Sequence, residues 1–346
     1  MTKEPDLLTE VQGHTGLITL NRPKALNALS ISMLQGFQAC LGEWAHDQQI
    51  HQVIIRGSDK AFCAGGDIRS IYDAHQRGDQ AFIQELFRLE YSVNYRIATF
   101  PKPYIALMDG FVFGGGCGVS VHGSHRIVTE KTILAMPETC IGYFPDIGAS
   151  YFLSKTPGLT GLYLGLTGRR ITTADILYAK LADACVPATA LNTICTEIIS
   201  GKSIDDVIHS YRLDIGPSEL ETHQAEIDQC FAADTLKGVI ECLNSSSSPW
   251  SAETLNLLNQ NAPFSLKLTY KLLKNNELTP RESLILDYRI ARHLIERPDF
   301  YEGVRAVLID KDNRPKWDPA DLNQVSDDAV AACFKPINND DLDLPK

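Results

Sequence analysis

Two apolar runs of strand character, QVIIRG (52–57) and YIALMDG (104–110), each lead directly into a glycine-rich loop: KAFCAGGDI (60–68) and GFVFGGGCGVS (110–120). A chain that twice passes from a buried strand through a tight loop into a helix is restricted to layered α/β architectures. The flanking segments repeat the alternation. GLITLN (16–21) has strand character, KALNALSISMLQGFQACLGEWA (24–45) has helical spacing, a helix begins at about Asp67, and HRIVTEKTILAMPE (125–138) returns to strand-like alternation. From about Thr160 the pattern turns helical, and NSSSSPW (244–250) has the composition of a surface loop between helices. With 346 residues, this predicts an α/β core over 1–210 and a helical C-terminal region over 211–346, whose acidic ending NNDDLDLPK frays.

Charge and composition exclude some function classes. A formal net charge of −11 argues against a nucleic-acid partner, since such affinity comes largely from Lys and Arg against phosphate. A small anionic ligand needs only a few local cations and stays open. The most apolar window, 104–121, contains Asp109 and five glycines, which makes it a poor membrane span and a good strand-to-turn segment. The N-terminus lacks an apolar or Arg-rich amphipathic leader, and nine cysteines without a CxxC pair suggest reduced thiols, so a cytoplasmic protein is expected. Cys63, Cys117 and Cys140 are expected as small core residues. The histidines are scattered and imply no metal.

The glycine loops carry the first chemical possibility. Gly65 and Gly66 permit close approach of backbone to a ligand, and amides just before a helix favour negative charge. The second loop is neither a dinucleotide fingerprint nor a phosphate-binding P-loop, and Ser120 does not sit in a nucleophile elbow. Two amides from separate loops can converge on one oxygen and stabilise an oxyanion, as thioester or ester chemistry needs. An ordinary strand-to-helix turn remains the alternative for the first loop, and tight packing of the following helix against the strand for the second.

Three acids carry the second. Glu90 shares the apolar stripe of AFIQELFRLEYSVNYRIATF (81–100) with Leu86 and Val93, so it is either functional, paired with an arginine, or at the stripe edge. Glu138 and Asp146 lie in MPETCIGYFPDIG (136–148), among apolar residues, Gly and Pro. Such a segment is a loop on which either catalytic acids or helix-capping acids would sit.

The combination resembles the crotonase (enoyl-CoA hydratase/isomerase) superfamily over nearly the whole chain. Its 3-hydroxyisobutyryl-CoA hydrolase branch, a thioesterase group of valine degradation, is the most similar. The resemblance rests on LNRPKALNALS (20–30), KAFCAGGDI (60–68), GFVFGGGCGVSVHG (110–123), AMPETCIGYFPDIGASYFL (135–153) and FYEGVRAVLIDKDNRPKW (300–317). It implies a spiral of ββα units binding acyl-CoA in an extended pocket. The amides of Gly66 and Gly115 would form the oxyanion hole, and Ala64, Gly65, Asp67 and Ile68 would lie along CoA. Arg22 and Lys24 would reach its anionic nucleotide end. Glu90 would contact the acyl hydroxyl, and Glu138 and Asp146 would carry the chemistry, one as base or nucleophile. CoA is then part of the substrate and no further cofactor is implied; a homotrimer or homohexamer is in keeping with the superfamily. Hydratases have a Glu where this chain has Gly118, which counts against addition of water to a double bond. An enoyl-CoA hydratase or isomerase and a non-catalytic CoA-binding relative are the alternatives.

Overall fold

The computed structural model describes residues 4–274, 278–337 and 340–345. Its strands are β1 (Leu7–Gln12), β2 (Thr15–Leu20), β3 (Gln52–Gly57), β4 (Ala61–Cys63), β5 (Tyr104–Met108), β6 (Phe111–Phe113), β7 (His125–Thr129), β8 (Ile133–Ala135), β9 (Ile171–Thr172) and β10 (Ala184–Val186). They form one sheet of order β1-β2-β3-β5-β7-β10 and a second of order β4-β6-β8-β9. In the first, β2, β3, β5, β7 and β10 pair in parallel while β1 is antiparallel to β2. Parallel neighbours need crossovers and are covered on both faces, which is why β3 and β5 read as continuous apolar runs. Leu17, Ile54, Ile105, Ile127 and Val186 of this sheet pack with Ile194 and Ile198 of the helix Leu191–Ile199.

The two sheets are linked by the same move made twice. At Gly57 and at Gly110 the chain leaves the first sheet and enters the second, and both turns are tight. A Cβ on Gly57 would lie 2.4 Å from the Ala61 carbonyl oxygen, and one on Gly110, whose φ is +75°, 2.1 Å from that of Lys60. Strands β4 and β6 then pair in parallel, with Ala61 opposite Phe111 and Cys63 opposite Val112. The two glycine-rich loops therefore leave the second sheet side by side.

The helix expected from Lys24 starts later, at Ile31, because Ser30 caps it by accepting from Met33 N at 3.3 Å. Before it, Pro23–Ala25 form a 3-10 turn and Leu26 and Asn27 take left-handed φ values of 49° and 59°. The buried Asn27 amide donates to Ser58 O and Ala61 O at 2.9 and 2.7 Å, tying this turn to the first glycine loop. The 125–138 run divides into β7 and β8. Among the described residues no helix is long and apolar enough to cross a membrane.

The chain forms two compact units interleaved in sequence, so compactness does not follow a single division at residue 210. One unit runs through Asp67 and adds Ser92–Leu134 and Ile171–Ser218; the other comprises Ile68–Tyr91, Ala135–Arg170 and the chain from Glu219. The sheets belong to the first, and the second is mainly helical. The expectation of reduced thiols throughout is corrected: Cys230 and Cys242 form a disulfide. They sit on consecutive helices, Glu219–Phe231 and Leu236–Ser245, whose short link brings their Cα atoms to 5.3 Å. Cys63 and Cys117 are buried, and Cys140 is half-buried. The acidic ending does not fray where it is described. Asp341 takes a bidentate contact from Arg289, Asp340 pairs with Arg88 and Arg292, and Leu344 is buried; residues 338, 339 and 346 lie outside the described residues.

A Cβ on Gly116, at the start of the second loop's helix, would lie 2.4 Å from the Cys63 carbonyl oxygen. Gly116→Ala is expected to cost about 1–3 kcal/mol of stability in urea unfolding. Gly216→Ala, where nothing lies within 4 Å, is expected to stay within about 0.5 kcal/mol of wild type.

Candidate active site

In the second unit, three sequence-distant segments bring acids together. Glu90 lies on the helix Gln80–Ala98, Glu138 opens the 3-10 turn Glu138–Ile141, and Asp146 follows on the loop before the short helix Ala149–Phe152. Asp287 joins them from the helix Pro280–Leu294. All four are buried, from 0% exposed for Asp287 to 6% for Glu138. Around them stand rings: Phe87 and Tyr143 stack at 5.8 Å, Tyr143 meets Phe300 at 5.1 Å, and Tyr91 meets Tyr288 edge-on at 6.5 Å.

Carboxyls in such surroundings resist ionisation, and each charge resists its neighbours'. Burial, with the charge of Asp146 adding to it, pushes Glu90 up to about 8. Burial pushes Asp146 up to about 7 against the pull of the Tyr91 hydroxyl and its own backbone amide. Glu138 is held well above the usual carboxylate range by burial, then by Asp146 and Glu90, with its own backbone amide opposing. Asp287 is raised likewise, by burial and then Asp146, with the Gly148 amide opposing.

The bonding separates the four. Tyr91 OH donates to Asp146 Oδ2 at 2.7 Å. Its proton being so used, Tyr91 accepts from Tyr143 OH at 3.1 Å. Gly148 N donates to Asp287 Oδ2 at 2.7 Å, while Glu138 Oε2 and Asp287 Oδ1 are buried without a partner among the described residues. Among the described residues no Lys or Arg forms an ion pair with Glu90, so the arginine-paired alternative does not hold. The capping alternatives fail too. The helix at Ala149 has Gly148 as its N-cap with no side-chain bond, and no side chain caps the turn at Glu138.

In the first unit the two glycine loops adjoin. An ideal Cβ on Gly65, whose φ is +113°, would come within 3.3 Å of Phe113 O and 3.8 Å of Gly115 N. Gly66 bridges Leu29, through Leu29 N to Gly65 O at 2.8 Å and Asp67 N to Leu29 O at 3.0 Å. Gly115 is the first residue of its short helix, where backbone N–H groups lack an intrahelical acceptor. Ala64 is half-buried beside them, its N donating to Leu26 O. Asp67 is buried and engages Arg22 at 2.7 Å; Arg22 also donates to Ala28 O at 3.0 Å. The Arg22 guanidinium is thus taken up inside the protein, whereas Lys24 is exposed on its turn. Ile68 opens the helix Ile68–Gln76 in the second unit.

Three residues of the acid cluster escaped sequence reasoning: Tyr91, Tyr143 and Asp287. Asp287 carried a usable signal. In PRESLILDYRIARHL it follows Leu284 by three and precedes Ala291 by four, an acid on an apolar stripe like Glu90.

A family model described as enoyl-CoA hydratase/isomerase matches residues 15–334. The chain belongs to this family. The 3-hydroxyisobutyryl-CoA hydrolase, mitochondrial, of Gallus gallus is 42% identical over 98% of this chain and 91% of its own length. That of Homo sapiens is 41% identical over 97% and 90%. Among solved structures, an enoyl-CoA hydratase from Rhodobacter sphaeroides 2.4.1 superposes with a TM-score of 0.93 at 37% identity, covering 98% of this chain and 100% of that one. A carnitinyl-CoA dehydratase from Mycobacterium thermoresistibile gives 0.91 at 34%, covering 97% and 98%. The crotonase architecture with a helical C-terminal region is thereby established. The hydrolases' names place them in mitochondria, which overturns the cytoplasmic expectation.

Because the Glu90 midpoint lies at about 8 in the folded protein against 4.5 ordinarily, the folded state binds more protons than the unfolded one between these values. Stability contributed by the protonated form is complete below about 4.5 and is lost as pH rises through about 8. Glu90→Gln is therefore expected to gain stability relative to wild type across this window, by on the order of a few kcal/mol at its upper end. Urea unfolding at a series of pH values checks this; a pH-independent difference contradicts it.

Proposed function

We propose that the chain hydrolyses the thioester of 3-hydroxyisobutyryl-CoA, and of 3-hydroxypropionyl-CoA, to the free hydroxy acid and CoA. The observation that carries this reading is the 42% identity, over 98% of the chain, to a relative bearing the hydrolase name. Gly118 supports it, because a hydratase would need a second carboxyl there. The solved relative described as an enoyl-CoA hydratase favours a second reading, hydration of an enoyl-CoA. The same glycine counts against that.

In this mechanism the amides of Gly66 and Gly115 donate to the thioester oxygen, bonds that strengthen as charge develops, worth on the order of 3 kcal/mol each. Water adds to the carbonyl carbon and gives its proton to a carboxylate. Asp146, pushed up to about 7 where Glu90 is pushed to about 8, is partly ionised at neutral pH and serves as that base. Burial holds Glu138 well above the usual carboxylate range, which favours proton donation over direct attack on the acyl carbon. Collapse of the tetrahedral adduct breaks the C–S bond, and the departing sulfur takes a proton from Glu138. Glu90 hydrogen-bonds the acyl hydroxyl, so acyl groups lacking it leave a buried polar group unpaired.

An acyl-CoA panel tests the reading, scored for free thiol and for loss of the enoyl chromophore. Thiol release from the 3-hydroxyacyl thioesters is expected, reduced at least about 100-fold in Glu138→Gln. Hydration without thiol release overturns it. Tyr91→Phe removes a donor that favours ionised Asp146, so the acidic limb of the pH–kcat profile is expected to move to higher pH from about 7. A limb that stays in place, or moves down, assigns the base elsewhere.

A further inference from the structure

One helix holds both the loop carrying Asp146, at Gly148, and the short helix that follows the loop, at Ser150. Gly148 N donates to Asp287 Oδ2 at 2.7 Å, and the Ser150 and Ser283 hydroxyls meet at 2.5 Å. Ser283 and Asp287 are four residues apart on the helix Pro280–Leu294, hence on one face. The segment between Asp146 and Ser150 needs such support. Ile147 and Gly148 both have left-handed backbones, with φ values of 55° and 84°, and for a β-branched residue such as Ile147 that conformation is strained. Asp146 O accepts from Ala149 N at 2.9 Å, closing the turn around these two left-handed residues.

Asp287 is an unusual choice for a structural clasp. It is fully buried, and its second oxygen has no partner among the described residues. A neutral residue on the apolar stripe of this helix would avoid that desolvation. What the carboxyl supplies is an acceptor two residues beyond Asp146. Asp146 is then fixed at both ends, its side chain by Tyr91 OH and its backbone turn through Gly148 N.

We propose that Asp287 is a positioning residue for Asp146, its carboxyl oxygen holding the Ile147–Gly148 turn that aims the Asp146 carboxyl at Tyr91. The catalytic meaning of this inference rests on the hydrolase reading above; the geometric part does not. Asp287 touches no reacting atom in this scheme and acts through the turn alone. An asparagine oxygen can accept the same amide hydrogen bond, whereas alanine cannot, and both lack the charge. The two variants differ in this hydrogen bond and in side-chain volume, and the Gly148 amide resonance reports the bond itself.

The test compares Asp287→Ala, Asp287→Asn and Ser283→Ala in the full-length protein, with Asp287→Ser as a second truncation should the alanine variant not fold. With 3-hydroxyisobutyryl-CoA, Asp287→Ala is expected to lose about 10- to 100-fold in kcat, with KM within about threefold of wild type. Asp287→Asn is expected to recover most of the loss, and Ser283→Ala to keep kcat within about threefold while losing thermal stability. The proposal is overturned if Asp287→Asn is no better than Asp287→Ala, or if Ser283→Ala matches the kcat loss. A substrate-free readout separates the proposal from the function on which it builds. The Gly148 amide proton resonance is expected to shift upfield in Asp287→Ala and to stay near its wild-type position in Asp287→Asn. If wild type releases no thiol, the hydrolase reading fails, and this resonance alone decides the geometric part; equal positions in the two variants overturn it.

Discussion

The desolvation of four carboxyls in one apolar pocket is the constraint around which the second unit is organised. Glu90, Glu138, Asp146 and Asp287 are each at most 6% exposed, and no cation accompanies them among the causes that shift their titration. A fold selected for stability alone would replace such a set with apolar side chains. Its members are not equivalent. A phenol donating to Asp146 eases its ionisation, while Glu138, held well above the usual carboxylate range, has an oxygen without a partner among the described residues. Burial and one hydrogen bond thus set chemically similar groups apart, and the proposed division of Asp146 as base and Glu138 as acid builds on that difference.

The glycine loops of the first unit obey a different constraint, steric rather than electrostatic. The chain moves between sheets at Gly57 and Gly110, and the parallel pairing of β4 with β6 makes the two loops neighbours. Gly65 and Gly116 leave no room for a Cβ without shifting backbone carbonyl groups or the Cys63 side chain. Close approach of backbone to backbone is what brings Gly115 N next to the Gly65 turn. The oxyanion role proposed for Gly66 and Gly115 depends on this contact and on no side chain.

Much of this was legible in the sequence, for identifiable reasons. The strand QVIIRG coincides with β3 because a fully buried parallel strand is continuously apolar, and AFIQELF marks its helix because the stripe has a 3.6 period. Glu138 and Asp146 stood out because acids are rare among Gly, Pro and aromatic residues. The helix start at Lys24 was misplaced since Leu26 and Asn27 carry left-handed backbones that periodicity does not reveal. Tyr91 and Tyr143 were missed because a buried tyrosine looks like core packing until its hydroxyl has a named partner. The Cys230–Cys242 bond was missed because their spacing of 12 matches no redox or metal motif and is set by a turn between two helices. Asp287 lies more than a hundred residues from Asp146, and only the fold joins them.

Infrared difference spectroscopy of the wild-type protein reads directly whether the buried cluster holds protons at neutral pH. Carboxyl carbonyl bands of protonated Asp and Glu in a dry environment are expected at pH 6, with a part of that absorption lost as pH rises through about 7 and about 8, where Asp146 and Glu90 ionise. A spectrum at pH 6 in which every carboxyl is already ionised would contradict the account.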